Sequence, residues 1–132
     1  MEIVYKYNEP VKAEDVIQVF RNSGITRPIG QKERIQKMLN HANLILTAWD
    51  HNRLVGIARA LTDFSYCCYL SDLAVDQDYQ KSGIGKELIE RIREIIGEEV
   101  ALILLSAPSA MDYYPKVGFD KVDNGFIIRR KR

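Results

Sequence analysis

The sequence predicts a mixed α/β domain, and three observations carry that prediction. Short β-branched and aromatic runs read as strands, the first of them IVYKY at residues 3–7. Ile84, Leu88, Ile92 and Ile95 recur at steps of three and four between Gly83 and Gly97, the pattern of an amphipathic helix. Behind that helix, VALILL at residues 100–105 is an uninterrupted apolar run of the kind that a strand buried on both faces requires.

The first strand closes at Asn8-Glu9-Pro10, which reads as a turn. Over residues 13–22, Val16, Ile17, Val19 and Phe20 lie near helical spacing, and Ser23-Gly24 stops that helix. The loop ITRPIG leads to a second helix over 31 to about 40, with Ile35, Met38 and Leu39 on one stripe. Strands at 44–49, 54 to about 61 and 67–75 then form a meander, the first two joined by the hairpin-type turn Asp50-His51-Asn52-Arg53. After the helix over 83–97 and the strand over 100–105 come a short helix from Ser109 and two closing strands, near 119–123 and 126–130. The order is β-α-α-β-β-β-α-β-α-β-β, about seven strands and about four helices, with no repeat, low-complexity segment or linker.

A chain of 132 residues, 46% hydrophobic and 28% charged, suits a single domain, 1–132, around one core. A net charge of +1 supplies no global field toward nucleic acid or an anionic membrane. Arg129, Arg130, Lys131 and Arg132 form a local basic cluster, read either as solvated chain or as a polyanion contact. Cys67 and Cys68 are neighbours in a strand and point to opposite faces, so they do not pair, and a disulfide framework is excluded. The start MEIVYKYNEP lacks a basic flank with an apolar h-region, and no apolar run approaches the roughly 18 residues that span a bilayer. A reducing, cytoplasmic compartment is expected. His41 and His51 have no cysteine or carboxylate at metal spacing, so no metal is expected.

The stretch QKSGIGKELI, at residues 80–89, leads glycines into a helix start, where unpaired N–H groups and the positive end of the peptide dipoles attract an anion. Gly83 and Gly85 serve either a tight strand-to-helix turn or the close approach of a phosphate. A P-loop is excluded, because Gln80 stands where its first glycine is needed and Glu87 where a serine or threonine is needed. A dinucleotide fingerprint is excluded as well: Leu88 replaces its third glycine and the stretch from Val75 to Gly83 is too long.

What remains is Gln80-x-x-Gly83-x-Gly85 ahead of an amphipathic helix, followed downstream by YYPKVGF, Tyr113 to Phe119. This pair of motifs, in this order, resembles the GNAT superfamily of acetyl-CoA-dependent N-acetyltransferases, and the element order agrees over nearly the whole chain. The resemblance implies a mixed, mostly antiparallel sheet of about seven strands, splayed between strands 4 and 5 and flanked by about four helices. It also implies acetyl-CoA as co-substrate. Its pyrophosphate would lie on the backbone of Lys81, Ser82, Gly83, Ile84, Gly85 and Lys86, with Gln80 in the same motif. The pantetheine and thioester would be gripped by the backbone of Leu73, Ala74 and Val75, across from a partner strand at 100–106. Ser106 or Ser109 stands in for the asparagine that many members carry near the next helix, unless Ser109 is a simple N-cap.

Acetyl transfer to an amine needs a polarised carbonyl, an uncharged amine held close, and a proton for the departing thiolate. The resemblance assigns the proton to Tyr114, with Tyr113 beside it at the coenzyme; the other reading makes both tyrosines core or interface aromatics. Pro115 is expected to kink or break the helix at Tyr114. No carboxylate fits the general base cleanly, since Tyr69, Ser71 and Leu73 share the acceptor face of the strand and Asp72 has the opposite parity. Asp72, or a water chain from Ser71 or Tyr69, is the base route. Arg27, Tyr66 and Tyr69 are candidates for the acceptor pocket. The implied reaction is direct transfer in a ternary complex to a primary amine of a small molecule or peptide. Two further readings stay open: a coenzyme-binding module without turnover, and a polyanion binder using residues 129–132. Dimerisation, a habit of the family, would let the closing strands near Phe126 to Ile128 pack across an interface.

Overall fold

The computed structural model describes residues 2–132. One sheet holds five strands in the order β1 (Ile3–Tyr7), β2 (Leu44–Asp50), β3 (Arg53–Thr62), β4 (Cys67–Val75) and β5 (Ala101–Ile103). The first four pair antiparallel, and β5 joins β4 in parallel. The helices are α1 (Ala13–Ser23), α2 (Lys32–Asn40), α3 (Ile84–Ile96) and the short α4 (Tyr113–Lys116), and single 3-10 turns stand at Gln77–Tyr79 and Pro108–Ala110. Among the described residues no helix is long and apolar enough to cross a membrane.

The three layers follow from the periodicities. α3 crosses from β4 to β5 on one face of the sheet, and its stripe of Ile84, Leu88 and Ile92 is buried against Leu44, Leu46, Ala58 and Ala60. Each such side chain contributes about 1.5–3 kcal/mol of burial, which makes α3 the anchor of its layer. α1 and α2 cover the other face, where Val16, Phe20 and Ile35 pack on Leu54, Ile57 and Ala74.

Two sequence expectations are corrected. The sheet has five strands and not about seven, because residues 120–132 form no strand and are exposed throughout. Val122 is 68% exposed, and Phe126 and Ile128 are fully exposed, so the strand-like composition there meets no partner edge. The run 100–105 is covered on one face only: Val100, Leu102 and Leu104 pack with the α3 layer, while Ile103 is 51% and Leu105 63% exposed.

Candidate active site

β4 and β5 pair only at Cys67 with Ala101, Cys68 with Leu102 and Tyr69 with Ile103. Beyond Tyr69 the strands part. Leu73, Ala74 and Val75 are paired with Ala58, Ile57 and Gly56 of β3 on one side and with no strand on the other. The result is a V-shaped gap whose β4 wall carries backbone groups free of the ladder.

At the end of β4, Asp76 accepts from the Asp78 N–H at 2.9 Å and starts the turn that leads to α3. Burial pushes the Asp76 carboxyl up, but hydrogen bonds from that N–H, Asn22 and Arg53 outweigh it and hold the group below its usual range. The Gln80 side chain donates to the Val75 carbonyl at 2.9 Å and to the Ser23 carbonyl at 3.4 Å, tying the turn to β4 and α1. The Ser82 hydroxyl donates to the Tyr79 carbonyl. Lys81 at φ 69 and Gly83 at φ 86 are both left-handed, which coils the backbone into a concave turn. The Glu87 N–H donates to Gly83 at 3.0 Å, so the amides of Ile84, Gly85 and Lys86 precede the first helical bond. Ile84 itself is buried in the core.

The second motif meets the first at one point. A Cβ added to Gly85 would lie 2.7 Å from the Tyr113 hydroxyl, closer than real contacts allow, so Gly85 has the only side chain that lets the phenol rest there. The rings of Tyr113 and Tyr114 pack edge to face at 5.3 Å, and Tyr114 packs on Phe119 at 5.5 Å. Burial raises both phenols above the usual value; Tyr113 adds to the rise at Tyr114, and the Arg27 guanidinium opposes it. Pro115 neither kinks nor breaks the helix. α4 is a single turn in which Pro115 lies ahead of any helical N–H bond, where its missing donor is not needed. The Tyr114 carbonyl accepts from the amides of Val117 and Phe119, both at 3.1 Å. Ser106 is half-buried, with its hydroxyl on the Ala107 carbonyl; Ser109 is exposed, and the turn there begins at Pro108 with Ala107 at its cap.

A buried ion cluster sits behind the gap. The side chain of Asp72 is fully buried; it accepts from Arg27 Nε at 2.5 Å on one oxygen and from Arg59 Nε on the other. Arg27 also donates to the Ser71 carbonyl, and Arg59 to the Ser71 hydroxyl at 2.9 Å. The register explains why Asp72 can reach them. Arg59 pairs with Asp72 but Ala60 pairs with Leu70, which leaves Ser71 as an extra residue in a bulge. Cys68 and Leu70 therefore face α3 together with Leu73 and Val75, and the parity of the strand changes at Ser71. Asp72 consequently shares a face with Tyr69, not the opposite one, and the expectation that Tyr69, Ser71 and Leu73 form one face is corrected.

A family model described as an acetyltransferase (GNAT) domain matches residues 9–128. The chain belongs to the GNAT acetyltransferase family. Among solved structures, it is similar to a probable acetyltransferase of unknown function from methicillin-resistant Staphylococcus aureus, with TM-score 0.83, 26% identity, and coverage of 98% of this chain and 100% of that one. It shares its fold with the aminoglycoside N-acetyltransferase AAC(6')-Iy, solved in complex with CoA, at TM-score 0.73 and 14% identity over 99% of this chain and 96% of that one. Among curated proteins, the histone acetyltransferase TAP1 of Glycine max is 36% identical over 78 residues, 58% of this chain and 34% of that protein. The chain spans about a third of the length of the first curated relatives it matches.

In this GNAT domain the gap, the amide-rich turn and the two tyrosines converge, while Arg27, Ser71 and Asp72 cluster beside them. Tyr66, 79% exposed, and Tyr69, 41% exposed, stand toward the start of β4. Arg59 was not singled out by the motifs; the signal for it is a lone arginine in the apolar strand LVGIARAL. Among the described residues no group of three or more His, Cys, Asp or Glu is placed to hold a metal ion.

Proposed function

We propose that this GNAT domain moves the acetyl group of acetyl-CoA directly to a primary amine, on a small molecule or a peptide, within a ternary complex. The observation that carries the reading is the gap between β4 and β5 opening onto the left-handed, amide-rich turn at residues 81–86. That pairing suits a ligand with a pyrophosphate at one end and an amide-rich arm along β4. The amides of residues 81–86 take the pyrophosphate, with Lys81 and Lys86 adding charge. Along Leu73, Ala74 and Val75 the backbone groups that face the gap are offered to the pantetheine, apart from the Val75 carbonyl that Gln80 holds, and Tyr113 closes the mouth at Gly85. Gln80 acts by latching the turn in shape.

Tyr114 is the general acid. Its raised pKa keeps the phenol protonated at working pH, ready to give its proton to the departing thiolate sulfur as the C–S bond breaks. The amine loses its proton through water passing Ser71 and Tyr69, because both oxygens of Asp72 already hold guanidinium groups. Arg27 supports the pocket wall through those same bonds. The relatives' names cover both proteins and aminoglycosides, which supports a primary amine as the acceptor and no narrower class. The free, adjacent cysteines are compatible with the cytoplasm.

A second reading, a coenzyme-binding module without turnover, is favoured by the occupied carboxylate of Asp72. Tyr114→Phe separates the two. With a panel of amines and a thiol-release assay, the enzyme reading predicts a rate loss of about 10²–10⁴-fold at unchanged coenzyme affinity. Absence of amine-dependent thiol release from the wild-type protein would favour the binding module.

A further inference from the structure

We propose that Nη1 of Arg59 holds a carboxylate of the acceptor, so that the amine this domain acetylates belongs to a small molecule with an acid group and an apolar body. The inference rests on the acetyl-transfer reading and narrows its acceptor.

β3 turns Ile57, Arg59 and Leu61 to the face opposite α3, since Ala58 and Ala60 between them pack in the α3 layer. The Arg59 side chain is 9% exposed; its Nε donates to Asp72 and its Nη2 to the Ser71 hydroxyl at 2.9 Å. Among the described residues its Nη1 has no partner. No side-chain nitrogen or oxygen among them is both sealed from solvent and unbonded, so Nη1 opens to solvent from an otherwise buried side chain. Its N–H groups are shaped to take a carboxylate oxygen.

The charge of the cluster points the same way. Two guanidinium groups share the one carboxylate of Asp72, which leaves one excess positive charge where little water can screen it. An acid group on the acceptor completes the balance, and a polycationic acceptor is disfavoured. The Arg27 guanidinium stands near enough to Tyr114 to oppose the rise of its pKa, so the cluster lies beside the proposed proton donor.

An apolar row adjoins it. Leu61, Tyr69 and Ile103 align across β3, β4 and β5, one row beyond Arg59 on the same face. They are 42%, 41% and 51% exposed and lie outside the layer that α1 and α2 cover. Tyr69 with Ile103 is also the last pair of β4 and β5 before the gap, so the row marks the narrow end of the gap. An acceptor with its carboxylate on Arg59 and its apolar body on this row has its amine directed toward the gap.

The test is an equilibrium titration with 3-phenylpropanoate and with 3-phenylpropanamide, which share an apolar body and carry no amine. Coenzyme A is present in excess, to fill the amide turn. The carboxylate is expected to bind about tenfold tighter than the carboxamide, by an advantage that shrinks as salt is added. Leu61→Glu changes an exposed position, leaves the Asp72 bonds alone and sets a carboxylate two residues from Arg59 on the same face. It should abolish the advantage with circular dichroism unchanged, as should Arg59→Lys, which keeps a cation for Asp72 without Nη1. Equal binding of the two probes by the wild-type protein, or an advantage that survives Leu61→Glu, overturns the proposal. In turnover, ω-amino acids should react faster per neutral amine than their carboxamides; equal rates overturn the subsite and leave acetyl transfer standing. A carboxylate preference without turnover of any amine keeps the subsite and overturns acetyl transfer alone.

Discussion

Asp72→Asn tests the buried cluster quantitatively. The carboxylate has no exposed side-chain surface, its two guanidinium partners are 9% and 28% exposed, and both of its oxygens are bonded. Asparagine keeps one acceptor but turns an N–H₂ toward a guanidinium, leaving two partly buried cations around a neutral group. Breaking a buried ion pair from one side costs about 3–5 kcal/mol, and the partial exposure of Arg27 argues for the lower end. About 3 kcal/mol corresponds to a fall in Tm of roughly 10 °C for a domain of this size. Urea denaturation followed by circular dichroism measures it, with an unchanged slope showing that the unfolded reference is the same. Adding Arg59→Met to Asp72→Asn should recover part of the loss, because the second change removes the cation stranded by the first. A single-variant loss under about 1 kcal/mol would refute the clamp, since an exposed pair is worth up to about that much. Stability retained with activity gone would instead mark Asp72 as the base.

Two further outcomes are expected. Gly85→Ala leaves stability within about 1 kcal/mol of wild type, because the helix-propensity gain offsets the displacement of the Tyr113 hydroxyl, but it weakens acetyl-CoA binding in an equilibrium titration. Asp63, whose carboxyl accepts from the amides of Tyr66, Cys67 and Ser65, is held down from 3.8 to about 2. A lowered carboxyl stabilises the fold above its unfolded value and loses that contribution as pH falls through the folded one. Asp63→Asn should therefore lower the denaturation midpoint at pH 7, and the difference from wild type should shrink between about pH 4 and pH 2.

The chain wrote its local rules plainly and its long-range ones faintly. α3 was legible because Ile84, Leu88 and Ile92 obey a helical period that needs no partner to be recognised. The turn before it was legible because the motif places a glycine where φ is 86. The bulge at Ser71 was not legible: an extra residue in β4 is defined only by its pairing with β3, and it alone reverses which side chains share a face with Asp72. The closing strands failed for a related reason, since FIIRR has strand composition but a strand exists only beside an edge. Pro115 misled because its effect depends on its place within a helix, and α4 proved one turn long.

The most direct test of the central claim is a calorimetric titration with acetyl-CoA, run against adenosine 3',5'-bisphosphate as a control that reaches only the phosphate end. Saturable binding clearly tighter than the control is the predicted result, because the gap along Leu73, Ala74 and Val75 adds to the amide turn. No binding of either ligand, or equal binding of both, would contradict the account by leaving the gap between β4 and β5 without a role.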